Sequence, residues 1–90
     1  MRITMMFSDE LLKSKYINST DKLVYGIIAV LSNKLGYCYA SNEYISKQLN
    51  LSSRTITKAI SKLRKANYIR VENINYQRKI YLSEYSQIVP

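Results

Sequence analysis

The chain has 90 residues, 47% of them hydrophobic and 22% charged, with a formal net charge of +8 and a pI near 9.7. That is room for one small domain with a single core, and the composition argues against disorder. The sequence has no His and a single cysteine, Cys38, which excludes imidazole acid–base chemistry, a Cys/His metal cluster and an internal disulfide.

Ile3–Phe7 suits an extended segment, and Ser8 can cap a short helix to about Lys13, with Asp9 and Glu10 at its positive end. The stretch STDKLVYGIIAVLSNKLG is predicted as a longer helix. Leu23, Val24, Ile27, Ile28, Leu31 and Leu35 recur at helical spacing, Ser19 or Thr20 supplies an N-cap, and Gly36 a left-handed stop. Tyr37–Ala40 has room only for a brief strand. Ser41 caps a helix over residues 42–49 that Asn50 can end, and Ser52 caps another over residues 53–66 that Asn67 can end. Residues 68–72 and 78–82 read as strands around a turn at 73–77. The expected organisation is an N-terminal arm with a short helix at 1–20, one domain at 21–82 and a tail at 83–90.

Only Asn50-Leu51-Ser52 separates the helices at 42–49 and 53–66. That is helix-turn-helix spacing, with Leu51 placed to plug the angle between the two helices. The hairpin that follows makes the expected fold α+β and mainly α: a winged helix-turn-helix, a three-helix core with a C-terminal β-hairpin wing.

Charge is concentrated in the same region. Residues 44–79 hold nine Lys/Arg against Glu72 alone, a local +8, whereas residues 1–43 contribute +1 and residues 80–90 contribute −1. In helix 53–66, Ile56, Ala59, Ile60 and Leu63 form an apolar stripe, and Arg54, Thr57, Lys58, Ser61, Lys62 and Lys65 occupy the other side. A basic helix face is ordinarily just solvated surface. Here no acid lies between Tyr44 and Val71, and the Arg54–Lys58 and Lys58–Lys62 pairs repel at i,i+4. A face built at that cost points to an anionic partner.

With helix 53–66 as a recognition helix, Ser53, Arg54, Thr57 and Lys58 are the side chains expected at base edges, Arg54 foremost as a bidentate guanine reader. Lys62 and Lys65 are expected at phosphate, as are Ser41, Asn42 and Lys47 of the preceding helix. Asn75, Tyr76, Arg78 and Lys79 of the wing divide between DNA contact and plain hairpin surface. Tyr25, Tyr37, Tyr39, Tyr44, Tyr68 and Tyr81 are expected in or at the edge of the core, and Cys38 as a small buried hydrophobe.

The block KLVYGIIAVLSNKLGYCYASNEYISKQLNLSSRTITKAISKLRKANYI, Lys22–Ile69, resembles the winged helix-turn-helix of plasmid replication initiators and phage replisome organisers of low-GC bacteria. The resemblance is carried by Lys22–Tyr25, Asn33–Tyr39, Ser41–Ile45, Leu49–Ile56 and Leu63–Ile69. It implies double-stranded DNA as the partner, at a replication origin or another mobile-element control site. Independently of the resemblance, the sequence lacks His, a Gly-rich phosphate loop, a bilayer-length apolar run and a signal pattern. That leads to the expectation of a cytoplasmic, non-enzymatic protein without cofactor or membrane association. Asn67 departs from the Gly common after the recognition helix. Initiators usually continue into a helicase-engaging domain, whereas this sequence runs only just past the wing. The expectation is therefore either a piece of a longer protein or a stand-alone repressor or transfer accessory. A homodimer, with Tyr16 or Tyr85 at its surface, and replication or transfer proteins are left open as further partners. The competing function is a protein-interaction module that uses the winged fold to bind an acidic protein.

Overall fold

A computed structural model describes residues 13–83. It contains α1 (Ser19–Leu31), α2 (Asn42–Leu49), α3 (Ser53–Lys65), β1 (Ile69–Ile74) and β2 (Gln77–Leu82). The helix expected from Ser8 and the tail beyond Ser83 lie outside the described residues.

The N-cap of α1 is Asn18, not the expected Ser19 or Thr20. Asn18 Oδ1 accepts from the Asp21 N–H and Asp21 Oδ2 accepts from the Asn18 N–H, both at 2.9 Å. This reciprocal box satisfies two otherwise unpaired donors at once, which neither hydroxyl residue could match alone. The helix also ends sooner than expected. The Ser32 N–H bonds Ile28 O and Ala29 O, and Ser32 Oγ donates to Ile28 O at 2.7 Å. Gly36, at φ +83, serves the turn beyond, its N–H on Ser32 O.

The predicted apolar face of α1 is corrected in part. Val24 and Ile28 are buried and Ile27 and Leu31 pack partly against the core, but Leu23 and Leu35 are more than half exposed. Leu23–Leu31 is apolar at every position, so periodicity cannot select which side turns inward. The buried side instead runs through Asp21, Val24, Tyr25, Ile28 and Ala29.

The next two helices follow their local signals. Ser41 Oγ accepts from the Tyr44 N–H and Ser52 Oγ from the Thr55 N–H, each at 3.1 Å. Asn50 closes α2 at φ +56, and the Leu51 N–H returns to Ser46 O at 2.9 Å. After α3, Asn67 stands at φ +65, its N–H on Arg64 O, while the Tyr68 N–H reaches Leu63 O. That is a Schellman closure with Asn in the place usually taken by Gly, and it aims the chain directly into β1.

The core joins Val24, Tyr25 and Ile28 of α1, Ile45 of α2, and Ile56, Ala59, Ile60 and Leu63 of α3 to Ile69, Ile80 and Leu82 of the hairpin. Leu51 packs against it from the turn. Cys38 is fully buried, and it exchanges both backbone hydrogen bonds with Ile80 at 2.8 and 2.9 Å, which adds one bridge to the hairpin. Tyr25 and Tyr68 are buried as expected, but Tyr39 and Tyr44 are exposed.

β1 and β2 pair antiparallel from Ile69↔Leu82 to Ile74↔Gln77. The strands run further than predicted, and the turn shrinks to Asn75-Tyr76, at φ +52 and +64. Two positive φ values in succession match the strand twist and permit a two-residue link. Alternation gives each pair a face. Ile69, Leu82, Val71, Ile80, Asn73 and Arg78 share the inward side, and Arg70, Tyr81, Glu72 and Lys79 the outward one.

Candidate nucleic-acid interface

α3 carries the charge that sequence reasoning assigned to it. Ser53, Arg54, Thr57, Lys58, Ser61 and Lys65 are all exposed, the opposite stripe is buried, and the first turn contains no acid. Arg64 is exposed as well, and sequence reasoning left it out. The signal was available, because Arg64 follows Thr57 and Ser61 by seven and three residues, on the same side of the helix. On α2, Ser41 and Lys47 are exposed and Asn42 is half-buried.

Four of the residues expected at DNA, Lys62, Arg78, Asn42 and Thr57, are already engaged within the protein. Lys62 Nζ lies 2.7 Å from Asp21 Oδ2, with the acid buried and the ammonium partly open to solvent. It therefore ties α3 to α1. Arg78 faces inward from β2. Its Nη1 donates to Asn42 Oδ1 and its Nη2 to Ala40 O, both at 2.7 Å. Burial lowers the pKa of this guanidinium, with Cys38 opposing the shift. Asn42 in turn donates through Nδ2 to Thr57 Oγ1 at 3.1 Å, and Thr57 Oγ1 donates to Ser53 O at 3.0 Å.

Lys79 belongs to the outward face of the wing. Its ammonium lies 4.7 Å from the Tyr37 ring centroid, the Tyr37 and Tyr81 rings are 5.7 Å apart, and Arg70 caps Tyr81 at 4.3 Å. Arg70 Nε is also 3.3 Å from Glu72. The result is a ladder of cation, ring, ring and cation, each exposed cation–π contact worth about 0.5–1 kcal/mol. Asn75 and Tyr76 form the fully open tip. Among the described residues no cluster of His, Cys, Asp or Glu could hold a metal, and no helix is long and apolar enough to cross a membrane.

Residues 15–69 match the model of a helix-turn-helix domain family. The chain belongs to that family. Searches of curated proteins and of solved structures each found no match. The helix-turn-helix match covers α1, α2 and α3 and ends on Ile69, the first residue of β1. Together with the hairpin these helices make a winged helix-turn-helix, a DNA-binding architecture of a typically non-enzymatic kind.

Proposed function

We propose that the domain binds double-stranded DNA sequence-specifically, with α3 in the major groove and the wing alongside. The observation that carries this is the acid-free, exposed basic side of α3, set behind a three-residue turn in a helix-turn-helix. Ser53, Arg54, Thr57 and Lys58 read base edges. Ser61, Lys65, Arg64, Lys47 and Ser41 meet the phosphates. Lys62 lies beside them but is held by Asp21, so it adds little to phosphate neutralisation while that pair is closed. Asn75 and Tyr76 reach the backbone or minor groove next to the helix, with Lys79 behind them. The setting we favour is a cytoplasmic one, at a plasmid or phage replication origin or another control site of a mobile element.

Titration of duplex DNA across salt concentrations tests the reading. Five or six neutralised phosphates give log K against log salt a slope of about −5. A flat response would sink it. Selection from random duplexes then supplies the target, and a palindrome or a tandem repeat in the selected sites would report the symmetry of the bound assembly.

A further inference from the structure

We infer that Arg78 is a positioning residue that locks the wing to α3 through Asn42 and Thr57, and thereby sets which DNA sequence the domain selects. This rests on the DNA-binding reading above and concerns how the reading surface is held.

The connection begins at the Cys38–Ile80 bridge. Continuing that antiparallel pairing by two residues brings Ala40 opposite Arg78, where the guanidinium, not the backbone, closes the gap onto Ala40 O. Its second arm takes Asn42 Oδ1. Because Arg only donates, the Asn42 carboxamide must turn its oxygen to Arg78 and its nitrogen to Thr57. Thr57 Oγ1 accepts that bond and passes its own proton to Ser53 O. Each link thus has a defined donor and acceptor, and the chain crosses β2, α2 and α3 in turn.

A clamp serving stability alone could end at Ala40. The branch through Asn42 instead ends on an exposed residue in the N-terminal half of α3. There it holds the Thr57 rotamer from two sides and commits the hydroxyl's only proton. The positive guanidinium polarises the amide, which strengthens the N–H that Asn42 offers to Thr57. Arg78 itself is half-buried with both arms of its fork engaged. It is badly placed to neutralise phosphate, so its effect falls on selectivity and not on salt dependence.

The test uses the full chain, a duplex obtained by selection and an unrelated duplex, titrated across salt. Arg78→Met and Thr57→Val should each reduce the ratio of selected to unrelated affinity about tenfold, and the double variant no more than either alone. Asn42→Asp keeps an acceptor for Arg78 but loses the donor to Thr57, so it should behave like Thr57→Val. Salt slopes should stay unchanged in Arg78→Met and Thr57→Val. Additive losses of about a hundredfold in the double variant overturn the inference. So does a slope that falls by about 0.9 in Arg78→Met, the mark of a direct phosphate contact. NMR of the free protein supplies a readout independent of DNA. Arg78→Met, or Arg78→Lys if the first does not fold, should shift the Thr57 and Ser53 amide signals and speed exchange of the Asn42 side-chain amide. Unmoved Thr57 signals in a folded variant also overturn it. A wild-type chain that prefers no duplex while the NMR coupling persists defeats the proposed function and the selectivity role together, with the coupling itself established.

Discussion

Lys62 Nζ and Asp21 Oδ2 meet at 2.7 Å, joining the helix that carries the basic face to the helix that carries the buried acid. Within residues 44–71 the basic charges find no acid, yet one of them is neutralised from α1. Asp21 does two things at once, because the same Oδ2 accepts the Asn18 N–H that starts α1. The pair therefore fixes where α1 begins and how α3 lies across it.

Removing the acid should uncouple stability from nucleic-acid affinity. Asp21→Asn can keep the cap bond to Asn18 but loses the charge pair. A fully buried pair broken this way costs about 3–5 kcal/mol. Because the Lys62 side chain is 42% exposed and can rehydrate, about 1–2 kcal/mol is expected here. For a domain of this size each kcal/mol lowers Tm by roughly 4–8 °C. Lys62, once released, should tighten binding to unrelated duplexes and steepen the salt slope by up to about 0.9. Thermal melts and salt titrations measure both, and a lowered Tm with weaker nonspecific binding contradicts the assignment.

Two substitutions on α3 should fail in different ways. Arg54→Ala removes the proposed guanine reader and should lose about 1–3 kcal/mol of discrimination at one base position, with affinity for unrelated DNA reduced only modestly. Lys65→Ala, at the far end of the helix, should weaken every duplex alike and flatten the slope by about 0.9. Competition titrations with single-base variants of the selected duplex separate the two patterns. Equal losses on all sequences for Arg54→Ala would remove it from base reading.

Much of the fold was legible because its signals are local. Ser41, Ser52, Asn50 and Asn67 act within a few residues of themselves, and the Ile56–Leu63 stripe of α3 has polar residues on its other side to define it. α1 offered no such contrast. Nine consecutive non-polar residues left its buried side to be chosen by tertiary partners, one of them the Lys62–Asp21 pair. The engagement of Lys62 and Arg78 was illegible for the same reason: each binds a residue far away in sequence, and composition says only that they are cations. The hairpin turn was placed at 73–77 but read too long, because Asn-Tyr lacks the glycine that usually marks a two-residue link.

Tyr76 combines full exposure with a left-handed backbone, at φ +64. A bulky residue there is strained relative to glycine, and among the described residues nothing covers the ring, which lies open at the wing tip. Backbone strain retained at an exposed tip fits a contact made outside the protein. Tyr76→Gly should raise Tm by roughly 4 °C while weakening binding to the selected duplex. A stabilised variant with unchanged affinity would show that the ring plays no part in binding and would restrict the interface to α3 and α2.

Cys38 gives the domain an alkaline limit. Burial pushes its thiol up from the ordinary value of 9.0, opposed by the Ala40 backbone and the Arg78 charge. Below that ordinary value folded and unfolded chains both hold the proton, and Cys38 adds no pH dependence. Above it the unfolded chain releases the proton while the folded chain keeps it, so stability falls as pH rises toward the raised folded value. Cys38→Ala should be less stable overall, by about 1 kcal/mol for a small cavity in the core. Its stability should nevertheless decline less steeply than wild type as the pH rises above 9.0, the ordinary thiol value. Denaturant melts of both proteins across that rise measure the difference, and parallel curves would mean that the thiol titrates alike folded and unfolded.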